Sequence, residues 1–201
     1  MIENNRIIIV DDDEDDLQKL SSVFHTHGVG CKSFHYDGFN FPDMPLRGVR
    51  FAFFDIHLNQ ESDVNAPLKD AISKYISMDN GPFVLIFWSN NTDKITDFIS
   101  FVNRTDDEFR NKLRPISLEW IDKSDFIETA NSLEEKLDSI LSKDIVKCLI
   151  RFDEEVLEAA TQTLDNLIST ISFDFVIFAN SFSNSGLDKY STFLFETTGR
   201  D

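Results

Sequence analysis

The feature that most constrains this chain is a set of apolar runs that each stop at a polar residue. They are residues 6–10 (RIIIV) before Asp11, residues 49–54 (VRFAFF) before Asp55, and residues 83–88 (FVLIFW) before Ser89. Runs with little apolar–polar alternation are what parallel strands buried on both faces require. Residues 116–121 (ISLEWI) are more mixed, which suits a strand near a sheet edge, and they end at Asp122 and Lys123. Residues 31–36 (CKSFHY) read as a weaker, edge-like strand.

Parallel neighbours need long crossovers, and the intervening segments carry helical spacing. Leu17, Leu20, Val23 and Phe24 follow the acidic stretch DDEDD, which suits the positive end of a helix, and Gly28 or Gly30 closes that helix. Residues 67–78 predict a helix that stops at Asn80-Gly81-Pro82, and residues 92–102 another with Ile95, Phe98, Ile99 and Val102 inward. A short helix is expected over 106–113, and an amphipathic one over 125–141 with Ser124 as its cap. Residues 145–171 carry a long apolar stripe that includes Phe152, Val156, Leu157, Leu164, Leu167 and Ile168, as one helix or a hairpin. Strand-like runs follow at 174–178 and 191–195. The pattern therefore predicts an α/β fold, a doubly wound five-stranded parallel sheet over residues 1–141. Residues 142–201 form a helical extension and strand-like tail for dimerisation or docking, or the start of an output region.

Composition removes several classes of function. Acids outnumber bases 36 to 19, and the C-terminal part from Asn131 keeps that excess, so a phosphate backbone is opposed and no nucleic-acid partner is expected. Cys31 and Cys148 are widely separated, which suggests two buried, reduced thiols and neither a disulfide framework nor a zinc site. The start MIENNRIIIV lacks the features of a signal peptide, and no apolar stretch reaches membrane-spanning length. A cytoplasmic protein with no membrane partner is expected.

In an open parallel sheet, ligands bind beyond the carboxyl ends of the strands. Asp11 and Asp12 leave the first strand, Asp55 the third, Ser89 the fourth and Lys123 the fifth, so one edge collects three carboxylates, a hydroxyl and an ammonium. Carboxylates gathered this way repel one another unless a cation neutralises them, and hard oxygen ligands suit Mg²⁺. With that charge screened, Asp55 could attack a phosphoryl group in line while Ser89 donates to a transferring oxygen. Any one of these acids alone would read as a solvated turn residue or a helix cap. Their order along four strand ends is what carries weight.

These motifs, IIIVDDDEDD, FFDIHL, FWSN and IDKSDF, resemble the response-regulator receiver family over roughly the first 140 residues. The resemblance implies a CheY-like sheet, Asp55 as phosphoacceptor, Asp12 as a direct Mg²⁺ ligand, Asp11 as a water-mediated one and the His57 backbone carbonyl as a further ligand. Ser89 and Lys123 would contact the phosphoryl group, and Trp120, three residues before Lys123, stands at the family's switch position. Trp88 is the neighbouring alternative for Ser89, which is preferred because it alone has a hydroxyl. Asn59 and Ser124 replace prolines common in the family, and the spacings from Asp55 to Ser89 and on to Lys123 are wide for it. The FWSN and DKSDF strand ends resemble the divergent receivers of bacterial antiphage phosphorelays of the Detocs type.

The implied function is a non-enzymatic signalling domain that takes a phosphoryl group from a partner histidine kinase. It would act as a phosphate sink or as regulator of a downstream protein effector, with homodimerisation through the C-terminal helix. The alternative is an unphosphorylated pseudo-receiver scaffold. A Mg²⁺-dependent phosphohydrolase ranks below both, because His57 stands where a second carboxylate would be wanted as general acid. No histidine follows His57, so the C-terminal region is not a histidine phosphotransfer module.

Overall fold

The computed structural model describes residues 6–58, 65–90, 93–105, 113, 115–126 and 130–170. It divides into two units, Met1–Ile150 and Arg151–Asp201. In the first unit the strands are β1 (Ile7–Asp11), β2 (Lys32–His35), β3 (Phe51–Phe54), β4 (Phe83–Ser89) and β5 (Pro115–Asp122). The helices are α1 (Glu14–Thr26), α2 (Asn65–Tyr75), α3 (Asp93–Thr105), α4 (Ala130–Leu141) and α5 (Asp144–Thr170), which runs on into the second unit. All pairings are parallel and the sheet order is β2-β1-β3-β4-β5. This is the doubly wound, CheY-like arrangement, with both strands of weaker pattern at the edges.

Side-chain alternation sends successive residues of the inner strands to opposite faces, and both faces are buried. Ile8, Val10, Ala52, Phe54, Leu85 and Phe87 pack under α2 and α3. Ile9, Phe53, Val84, Ile86, Trp88 and Ile121 pack under α1, α4 and the first turns of α5. β4 is buried along its whole length, as its uninterrupted FVLIFW run requires.

Helix α1 begins at Asp13, whose side chain accepts from the amides of Asp15 and Asp16. It ends in a Schellman turn: Gly28 takes a positive φ of 70°, its amide donates to the His25 carbonyl, and the Val29 amide donates to the Phe24 carbonyl. Glycine meets that backbone requirement without strain.

Strand β1 ends at Asp11, so this acid belongs to the sheet itself. Two expectations change. Neither thiol is fully buried: Cys31, just before β2, is part-exposed and packs against the edge of the core, and Cys148 is exposed on α5. Ser124 does not cap a helix over 125–141; a 3-10 turn, Lys123–Phe126, precedes α4, and Asp122 accepts from the Ser124 amide and hydroxyl at 2.9 and 2.6 Å. Of the two readings for the apolar stripe that begins at residue 145, the single helix is the one present, as α5 through Thr170. The strand-like runs at 174–178 and 191–195 lie outside the described residues, as does the short helix over 106–113 apart from Leu113.

The connection from β2 to β3 has no helix. Residues 36–50 instead run as an irregular layer that buries Tyr36, Leu46 and Val49, with Leu46 forming a parallel bridge to Ile76. Asn80 fastens this layer: its side chain accepts from the Val49 amide at 2.8 Å and donates to the Val49 carbonyl at 2.9 Å. The buried Val49 amide, which would otherwise be orphaned, is thereby satisfied, and the Val49 carbonyl gains a partner beside the Arg50 guanidinium at 3.3 Å.

Candidate functional site

The carboxyl ends of β1, β3, β4 and β5 bring the sequence-predicted residues to one edge. Asp11 is fully buried in β1, and its Oδ1 accepts from the Asp13 amide at 3.0 Å. Asp12 is exposed, and its backbone carbonyl accepts from His35 Nε2 at 3.0 Å, so the end of β2 fixes the turn that carries it. Asp55, directly after β3, is buried, and its Oδ1 accepts from the His57 amide at 3.2 Å. One carboxylate oxygen from each of Asp11, Asp12 and Asp55 lies within 4.8 Å of the others.

Lys123 occupies the centre of this group. Its Nζ lies 2.7 Å from Asp11 Oδ2, 2.8 Å from Asp55 Oδ2 and 3.0 Å from Asp16 Oδ2, and the side chain is almost wholly buried. Ser89, the last residue of β4, is buried and level with Asp122 on β5, so it shares the same edge. Trp120 lies two residue pairs further back along β5, beside Phe87, and is 55% exposed. The side-chain Nε2 of His57 is buried and has no hydrogen-bond partner among the described residues.

Electrostatics follow from packing acids around one cation. Burial pushes the Asp11 carboxyl up to about 6, and Lys123 only partly reverses this. Burial and the nearby Asp55 also raise Asp12. Burial works against the Lys123 ammonium, but Asp55 and Asp11 more than reverse it and hold lysine above its ordinary range. Burial would raise Asp16 too, yet its hydrogen bonds with Lys19 and Lys123 leave it below the usual carboxylate value. Four carboxylates against the Lys123 ammonium and the exposed Lys19 beside Asp16 still leave a surplus of negative charge. The Asp11, Asp12 and Asp55 oxygens are all hard donors at a spacing one small divalent ion can bridge, so this donor set fits Mg²⁺.

Sequence reasoning missed Asp16 as a site residue, because an acid in a first helical turn is already explained by the helix dipole. The available signal was its register: with Asp13 as cap, Asp16 falls one turn in, on the side of α1 that faces the strand ends. Asn59 lies outside the described residues. Among the described residues, no helix is long and apolar enough to cross a membrane.

Neither a protein-family model nor a curated protein matches this chain. Among solved structures, one similar chain is a fusion that carries the yeast Spc42 trimeric coiled coil, amino acids 181–211. It is 16% identical over 82% of this chain and 97% of its own, with a TM-score of 0.41. At that score the likeness adds nothing to what strand order and the acidic edge define.

Proposed function

We propose that this chain is a phosphoacceptor receiver in which Asp55 takes a phosphoryl group from a partner histidine kinase. The observation that carries this reading is the buried Asp55 carboxylate, 2.8 Å from the Lys123 ammonium and grouped with the carboxylates of Asp11 and Asp12. A carboxylate oxygen of Asp55 forms a bond to phosphorus as the donor's P–N bond breaks, and the electron pair returns to the donor imidazole, which takes a proton from water. Bound by Asp11, Asp12, Asp55 and the His57 carbonyl, Mg²⁺ would supply the positive charge that lets a phosphoryl group approach these acids. Lys123 pairs with a phosphoryl oxygen once Asp55 is esterified, and Ser89 donates its hydroxyl to another. Trp120, exposed on the edge strand three residues before Lys123, is the side chain free to change rotamer with that event.

The partners are protein surfaces, consistent with an acidic chain. Output is phosphate buffering or control of a downstream effector, and kinase assays with and without this protein separate the two. The apolar side of α5, where Phe152, Leu157, Leu164 and Ile168 are each more than half exposed, is the surface proposed for homodimerisation. Incubation with acetyl phosphate and Mg²⁺, followed by intact mass, tests the central step. One phosphate is expected on the wild type and none on Asp55→Asn or in chelator. An unmodified wild-type protein would sink the reading, and modification of both proteins would move the acceptor elsewhere.

A further inference from the structure

A second site lies at the other end of the sheet from Asp55. Between α1 and α4, above the first residues of β1 and β3, is a pocket of about 260 Å³. Its floor is Ile7, Phe51, Phe53 and Ile86, and its walls include Phe24 and Leu137. The Schellman turn that ends α1 holds Phe24 and Val29 on one side of it. Val29 at 40% exposure and Leu141 at 37% mark an open mouth.

Polar groups occur only at the rim. His27 Nε2 is 3.1 Å from Glu134 Oε1, so one rim carboxylate has a partner. Asp138 lines the pocket too, is exposed, and its carboxylate has no hydrogen bond or ion pair among the described residues. An apolar cavity of about 150 Å³ holds benzene, so this volume suits a body of roughly ten to fifteen heavy atoms. A rim with two carboxylates, in a chain of net charge −17, disfavours an anionic head group and favours a cationic one.

We propose that the pocket between α1 and α4 binds a small cationic amphiphile, an alkyl or aryl amine whose apolar body fills the cavity while its ammonium pairs with Asp138. This site does not depend on the phosphoacceptor reading, since none of its lining residues belongs to the acidic edge. Both of its walls nevertheless start there: α1 carries Asp16 in its first turn, and α4 follows the 3-10 turn that begins at Lys123.

The test is calorimetric titration of the full chain with decylammonium, decanol and decanoate, each below its micelle concentration and at matched ionic strength. Decylammonium should bind with a stoichiometry of one and about fivefold to tenfold more tightly than decanoate, the margin expected for one partly exposed charge pair made or opposed. Asp138→Asn should remove most of that preference while decanol binding stays. Leu137→Trp, which fills the cavity, should abolish binding of all three, and Val29→Trp at the mouth serves if the first variant does not fold. Equal affinity for decanoate, absence of saturable binding, or undiminished binding in a folded cavity-filling variant would each overturn the proposal.

Discussion

A carboxyl group removed from water holds its proton more tightly, and for Asp11 this moves titration from the ordinary 3.8 to about 6. The folded chain therefore binds this proton better than the unfolded chain does. The stabilisation it gives is complete below the unfolded value and is lost as pH rises through the folded one. In chelator, the wild type should lose roughly 3 kcal/mol relative to Asp11→Asn as pH goes from about 4 to about 7, a shift of some two units at 1.36 kcal/mol each. Urea denaturation of both proteins across that range checks this, and a difference that stays flat would contradict it. Mg²⁺ should restore the wild type and leave Asp11→Asn little changed. Asp11, Asp12, Asp55 and Lys123 were legible in the sequence because each stands within two residues of the end of a strand-like run, which fixes its place in three dimensions. The contact of Asp16 with Lys123 was not, since five consecutive acids satisfy the start of a helix equally well and only the rotation of α1 selects one of them.

At the scale of elements, β1, β3 and β4 were readable because burial on both faces leaves them apolar up to Asp11 and Ser89, the polar residues that close β1 and β4. The path from β2 to β3 was not. Its residues lack helical periodicity, and what orders them is contact with distant parts of the chain: Leu46 with Ile76, and the backbone of Val49 with Asn80. Sequence logic takes Asn80-Gly81-Pro82 for a breaker, which it is, since Gly81 adopts a φ of 82°. Local pattern does not reveal that the same asparagine imitates a strand neighbour for Val49. Asn80→Ala leaves the buried Val49 amide without its partner, while the Val49 carbonyl keeps the Arg50 guanidinium at 3.3 Å, and an unsatisfied buried group costs about 1–3 kcal/mol. A loss of roughly 1–3 kcal/mol in chemical denaturation is therefore expected, together with faster amide exchange at Val49. A loss below that of a surface substitution would show that water replaces the side chain.

For the whole molecule, the contrast is between an acidic edge built inside the first unit and a helix whose apolar side is left open in the second. Phe152, Val156, Leu157, Leu164, Leu167 and Ile168 are each half or more exposed. Burying half of such a side chain is worth about 1 kcal/mol, so two copies meeting there gain on the order of 10 kcal/mol before the cost of association. A concentration-dependent dimer should appear in sedimentation, and Leu164→Glu with Leu167→Glu should shift it to monomer. A wild type that is monomeric at all concentrations would remove this surface as a self-contact. The burial of β4 has a further consequence. The chain has two tryptophans, and they report on different places: Trp120 is open to solvent, while Trp88 is sealed beneath the sheet edge with the Lys123 ammonium 6.0 Å from its ring centre. A cation at that distance shifts indole emission, so any event that draws Lys123 towards a phosphoryl oxygen should change the emission that acrylamide cannot quench. The protein thus carries its own optical readout, with one lamp beside the acidic edge and the other on its outer wall.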